Sequence, residues 1–253
     1  MELDANQQLM LHWIPIVLGV LLMSPMGKGM SQSLSSMFPG MEHQRGRTIG
    51  GMILVFLGGF TVSVHTLWIH NKSKELGAGN FCSGDGIWDC SSVIGNDAWN
   101  TMPVTNLPWG LVGMMAFCIL AWLVISIGKD STATWVNDHI KYGLILGYGG
   151  LLIIAYLAYG EYQIGKLCQY CSTAHVAHIA GLLGFIHLNS MVDTSEWGSD
   201  DSIGEDDAGP RVRRKRGYVA PTVVQNVTYN IQDSSISGDL NATVNNDTSE
   251  EED

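Results

Sequence analysis

The chain reads as an all-α, polytopic membrane protein: a four-helix transmembrane bundle, an extra hydrophobic helix before it and a flexible acidic tail after it. Three observations carry that reading. Residues 49–69, 108–127 and 142–160 contain no Asp, Glu, Lys or Arg. A fourth apolar stretch, roughly 167–189, is interrupted only by His175, His178 and His187. The charge is piled at the other end, where residues 191–253 hold 14 acidic and 5 basic side chains, a net of −9 out of −11.

A helix of ~20 residues rising ~1.5 Å per residue spans the ~30 Å hydrocarbon core, so each apolar segment is long enough to cross. Gly recurs in all four, as membrane helices use it for close packing. Residues 9–26 (LMLHWIPIVLGVLLMSPM) come earlier. A cleaved signal peptide needs a basic start, whereas MELDANQQ is acidic, so the segment is expected to be a fifth, short spanning helix. The alternative is an interfacial or re-entrant piece, given Pro15 and the marginal length. The expected divisions are 1–48 for this helix and its following loop, 49–190 for the four-helix core, and 191–253 for the tail.

Lys and Arg set the orientation. Loop 27–48 carries Lys28, Arg45 and Arg47 and is expected in the cytoplasm. Loop 70–107 then lies outside, 128–141 inside and 161–166 outside, and the tail, with its RVRRKR run, returns to the cytoplasm. The tail buries too little to order itself. Its sequons at Asn226, Asn241 and Asn246 are therefore misplaced, leaving Asn71 as the one on the outer side. An acidic chain of this kind offers no footprint for nucleic acid.

On the outer side fall two cysteine pairs. Cys82 and Cys90 enclose seven residues rich in Gly and Asp, and Cys168 and Cys171 form a CxxC opening the last apolar segment. CxxC serves redox dithiols, zinc knuckles and haem attachment, and Ser172 in place of His removes the last. Cys168 is placed in the first turn of a helix, where unpaired N–H groups favour a thiolate. A soluble disulfide would reach Cys168, and a lipid-soluble oxidant would meet Cys171 one turn deeper.

Cys168, Cys171, His175 and His178 repeat at 3–4–3 and share one helical stripe. Two thiols and two imidazoles suit a reaction that moves two electrons and two protons. They also make a Cys2His2 set, so a metal-binding membrane protein is the alternative, although such ligands on one straight helix spread over about two turns. Each histidine could equally serve as a helix-packing hydrogen-bonder. The loop pair could be a permanent staple, but beside a CxxC it reads better as the other half of a thiol–disulfide relay. Cys118 is read as a mid-membrane packing residue.

C-x7-C followed by Ser91 and Ser92, LPWGLVGM opening one helix and GEYQIGKLCQYC opening another together resemble the vitamin K epoxide reductase family over about residues 49–190. Prokaryotic members resemble the DsbB system in function, which implies a thiol:quinone oxidoreductase supporting disulfide-bond formation. By that resemblance Cys82 takes electrons from a thioredoxin-like protein, Cys90 exchanges with Cys168, and Cys171 attacks a menaquinone- or ubiquinone-type acceptor. A short half-helix before Pro108 is expected to cap the quinone pocket. His175 stands where animal enzymes carry Tyr, and a Ser or Thr near the loop cysteine is replaced by Asn96, with Ser91 or Ser92 as substitutes. These, with His178, are the candidate quinone contacts, and reduction of a quinone or vitamin K epoxide is the alternative activity. The tail holds no second CxxC, so the electron donor is expected to be a separate chain.

Overall fold

A computed structural model describes residues 5–34, 40–76, 86–194 and 197. Cys82, the three tail sequons and nearly all of the 191–253 arm lie outside the described residues. Among the described residues eight helices follow one another: α1 (Ala5–Met23), α2 (Gly27–Leu34), α3 (Gln44–Leu76), α4 (Cys90–Ile94), α5 (Asp97–Asn100), α6 (Trp109–Lys129), α7 (Val136–Ile164) and α8 (Gln169–Asp193). Among the described residues there are no strands, only two isolated bridges. The protein is all-α and polytopic. The helices α3, α6, α7 and α8 are each long and apolar enough to cross a membrane.

The extra helix forms, but a fifth span exists only if α1 and α2 are taken together, and they are bent by 101°. The bend sits at Ser24-Pro25: a residue before proline is pushed out of helical space, so α1 stops at Met23. Pro15 lies inside α1 without ending it. The helices α3 and α7 outrun their apolar spans. In its last turns α3 carries Asn71 on an exposed helical face rather than in a loop, together with the Lys72–Glu75 pair.

At mid-bundle the packing is aromatic against glycine. Phe56 of α3 is fully buried, with ring centroids 6.2 Å from Phe117 of α6 and 6.1 Å from Phe185 of α8. A Cβ at Gly59 would strike Phe117, one at Gly181 would strike Phe56, and one at Gly143 would strike Phe185. Lipid tails are as apolar as these side chains, so close van der Waals fit holds the helices together rather than exclusion of water. Cys118 is free and exposed on the bundle flank, not packed inside as the sequence suggested.

On another flank α1 runs antiparallel to α3. Gly19 meets Gly51, Ile16 packs over Gly58, and His12 pairs with His65. Positions 51, 58 and 65 are seven apart, so they share one face of α3. This seats the start of α1 beside the cysteine end of the bundle. At the far end Arg45 donates from Nη1 to the Trp197 carbonyl (2.8 Å), and the Trp197 indole N–H donates to the Ser131 carbonyl (2.8 Å).

Candidate active site

Between α7 and α8 the chain turns within four residues. Gly165, at φ 72°, ends α7 in the left-handed region, and its N–H bonds the Glu161 carbonyl (2.9 Å). Glycine is the residue that takes this conformation without Cβ strain. The next residues run extended and pair with the loop that precedes Cys90. The Leu167 N–H donates to the Ile87 carbonyl (2.8 Å), the Asp89 N–H donates to the Leu167 carbonyl (3.1 Å), and Lys166 Nζ donates to the Gly86 carbonyl (2.7 Å). Trp88 and Leu167 form a parallel bridge. These bonds hold one cysteine-bearing segment against the other.

Cys90 and Cys168 consequently sit in one buried cluster with Val62, Ile69, Val93, Ile94 and Tyr170, with Cys171 packed at its edge. Cys90 is disulfide-bonded, and Cys168 is joined to Cys171. Cys168 is not in the first turn but at the N-cap of α8, where its Sγ accepts the Cys171 N–H at 3.1 Å. A helix N-terminus with a sulfur as its cap favours negative charge on that sulfur once the disulfide opens. Cys168 is completely buried and Cys171 half-buried, so Cys168 is shielded from solvent rather than open to it.

Two short helices, rather than a single half-helix, lie over this end. Asp89 caps α4, accepting from the Ser92 N–H (3.2 Å) and the Ser92 hydroxyl (2.6 Å). The Ser92 hydroxyl bond, ahead of other causes, holds the Asp89 carboxyl below its ordinary range. Asn96 caps α5 by accepting from the Ala98 N–H (3.1 Å). Asn100 Nδ2 donates to the Ile94 carbonyl (2.6 Å) and to Nδ1 of buried His70 (2.8 Å), tying α5 to α4 and α3.

The sequence candidates therefore separate. Ser92 and Asn96 are engaged in caps, and His178 Nε2 donates to the Gly147 carbonyl of α7 (2.9 Å), a helix-packing bond. His175 is half-buried and makes no hydrogen bond among the described residues, and the Ser91 hydroxyl is buried without a partner. Buried polar groups are normally satisfied, so Ser91 and His175 retain capacity for a substrate oxygen. A further orphan donor that sequence reading missed is Trp109 Nε1 at the start of α6, its ring 6.1 Å from Tyr156, which in turn lies 5.5 Å from Trp99. An orphan donor beside a group of aromatic rings suits a quinone head group, whose carbonyls accept and whose face packs on rings.

Sequence reading also missed Glu161. It is 7% exposed, accepts the Cys168 N–H at 3.2 Å, and its carboxylate and both CxxC sulfurs lie within 4.8 Å of one another. The acid and not the two histidines shares the sulfurs' space, so the four-ligand Cys2His2 arrangement is not assembled. The signal was present: Glu161 is the first charged residue after the uncharged 142–160 span, seven before Cys168.

Residues 51–185, more than half of the chain, match the model of the vitamin K epoxide reductase family. The chain belongs to that family. No curated protein and no solved structure is detectably similar to it. Membership of the vitamin K epoxide reductase family carries the coarse activity, a multi-pass membrane thiol oxidoreductase linked to quinones. The matched residues include Cys82, Cys90, Cys168, Cys171 and Glu161, whereas α1 lies wholly before them.

Proposed function

We propose that this protein relays two electrons from a separate thioredoxin-like protein, through Cys82/Cys90 and then Cys168/Cys171, to a menaquinone- or ubiquinone-type acceptor, supporting disulfide-bond formation. The observation that carries this reading is the pairing of 86–89 with 166–167, which sets Cys90 and Cys168 in one buried cluster. Thiol–disulfide exchange needs one sulfur to approach another through a mixed disulfide, and a shared dry pocket is the arrangement that requires.

In the first step the donor dithiol reduces the Cys82–Cys90 disulfide and is itself oxidised. The Cys90 thiolate attacks Cys168 Sγ, forming a Cys90–Cys168 bond and releasing Cys171 as a thiolate. Cys82 then closes on Cys90 and frees Cys168. Cys171 adds to the quinone. Cys168 closes on Cys171 and expels the hydroquinone, so two electrons and the two thiol protons end on the quinone. Glu161 takes the proton from the Cys168 thiol as it closes, because its carboxylate is the titratable group beside that sulfur. His175, Ser91 and Trp109 Nε1 are the proposed contacts to the quinone oxygens.

The basic residues Arg45, Arg47 and Lys141 stand in the loops and helix ends away from the cysteines, which supports a cytoplasmic far end and an extracytoplasmic cysteine end. The tail is proposed to be cytoplasmic.

Turnover of purified protein in proteoliposomes, with a reduced thioredoxin-like donor and a quinone, tests the relay. Stoichiometric donor oxidation that requires all four cysteines is expected. Donor oxidation that persists without Cys168 and Cys171 would remove the second pair from the path. Turnover of an epoxide with no turnover of the quinone itself would favour the epoxide-reductase reading.

A further inference from the structure

The α1–α3 contact does more than pack. Near the cysteine end the two helices frame an open cavity of about 460 Å³ lined by Gln8, His12, Thr61, Val64, His65 and Trp68. The direction of its hydrogen bonds follows from the Thr61 hydroxyl. The Thr61 hydroxyl has a single proton and donates it to the Gly58 carbonyl (3.0 Å), so toward His12 Nδ1, 3.0 Å away, it accepts. His12 is then protonated on Nδ1, and its Nε2 is an acceptor. His65 Nδ1, 3.0 Å from that nitrogen, must donate. Neutral His65 is left with a bare lone pair on Nε2, which makes no hydrogen bond among the described residues.

That lone pair lies beside the redox centre. The His65 ring is 4.8 Å from the ring of Tyr170, the residue between the two CxxC cysteines, and Tyr170 belongs to the cluster containing Cys90 and Cys168. Leu9, on α1 just before His12, packs against the same cluster. Val64 and Trp68 on the cavity rim are 39% and 49% exposed on the bundle flank, the surface that faces lipid in a membrane. The cavity is thus open to a ligand dissolved in lipid, with Val64 and Trp68 at its rim, Gln8 and Thr61 also lining it, and His65 Nε2 as an acceptor.

We propose that this cavity binds the reduced form of a membrane quinone, with a hydroquinone hydroxyl donating to His65 Nε2 and the ring lying against Trp68. The choice of redox form follows from the lone pair. A quinone carbonyl offers only lone pairs of its own and cannot bond an unprotonated nitrogen, whereas a hydroquinone O–H can. One wall of the site is α1, outside the family-matched residues, and the other is α3, within them, so that the reduced product is held next to the relay. The proposal rests on the quinone-reducing reading of the preceding subsection.

The test is direct binding of tritiated decylubiquinol and, separately, decylubiquinone to the full chain in nanodiscs, under anaerobic conditions with the cysteines oxidised. Wild-type protein is expected to hold the quinol at least tenfold more tightly at a site that His65→Phe removes. Val64→Trp fills the same cavity from its rim while leaving both histidines in place, and it should weaken quinol binding as well, which guards against misfolding of the histidine variant. Equal affinity for the two redox forms, or quinol binding indifferent to both substitutions, overturns the proposal. Because binding is read without turnover, a protein that binds quinol through His65 yet never reduces quinone would sink the relay and leave this site standing. Quinone turnover with His65-independent quinol binding would do the reverse.

Discussion

The middle of the bundle and its cysteine end are built on opposite principles. Around Phe56 the contacts are ring against ring and ring against glycine, and the side chains that meet there are apolar. At the cysteine end there are short capped helices, a buried acid, an orphan hydroxyl and an orphan indole N–H within the same few turns. The first region gives a rigid frame, because close packing tolerates little change of volume. The second keeps polar groups without partners in a dry setting, which costs stability and is expected only where a substrate or a proton will supply the missing partner. Stability and chemistry are therefore carried by different residues. Substitutions in the two regions should separate cleanly in what they damage.

The largest effect belongs to the cysteine end. Cys171→Ser should abolish turnover with both the protein donor and dithiothreitol and leave a Cys90–Cys168 disulfide trapped, visible on non-reducing gels after proteolysis as a link between the loop and α8. Cys82→Ala should stop only the protein donor, since a small dithiol can reduce the second pair directly. If both variants lose dithiothreitol-driven turnover equally, the pairs are not in series. The core should fail differently. Phe56→Ala empties the space between Phe117 and Phe185 and should cost about 3–5 kcal/mol of stability, read as a lowered Tm in detergent. At permissive temperature its turnover should stay near wild type, and a specific catalytic loss there would blur the division between the regions.

Glu161 comes next and sharpens the comparison, being a charged group placed where the middle of the bundle would hold an alanine. Glu161→Gln keeps an oxygen to accept the Cys168 N–H while removing the proton acceptor, so the frame should survive. Reoxidation of Cys168/Cys171 by quinone in a single turnover should slow by about 100-fold, within the usual range for positioned acid–base groups. Glu161→Asp should recover part of the rate. An unchanged rate in the Gln variant would make Glu161 a structural acceptor alone.

How far the sequence could be read follows the same boundary. The spans at 49–69, 108–127, 142–160 and 167–189 all became membrane-length helices, because an uncharged run of that length has few other options in lipid. The Cys168–Cys171 pair was legible from its CxxC spacing. Which polar residues remain available was not legible, because a Ser, Asn or His looks alike in sequence whether it caps a helix or stays unbonded. Ser92 and Asn96 turned out to be engaged in capping while Ser91 did not, a difference set by the direction in which each points from α4 and α5. The His12–His65 pair depended on the antiparallel register of two helices far apart in sequence, and single-segment periodicity carries no information about that register. Glu161 was obscured by being assigned to a loop, when it lies inside the last turn of α7.

The smallest effect concerns the lid of the site. Asp89 caps α4 one residue before Cys90, and its carboxylate accepts from both the backbone and the hydroxyl of Ser92. These bonds lower its pKa in the folded protein, with the Ser92 hydroxyl the first cause. A depressed carboxyl contributes its stability fully above the ordinary Asp value of ~3.9 and loses it as pH falls through the folded value. At neutral pH Asp89→Ala should cost about 1 kcal/mol, the usual scale for an N-cap. Because the same segment pairs with Leu167, the loss should loosen Cys90 against Cys168 rather than the bundle as a whole. The measurable consequence is faster alkylation of Cys90 after reduction, with the Tm of the frame little moved, and Asp89→Asn, which can still cap, should restore most of the protection. If Asp89→Ala lowers Tm as much as Phe56→Ala does, the cysteine end is part of the frame and the two regions are one.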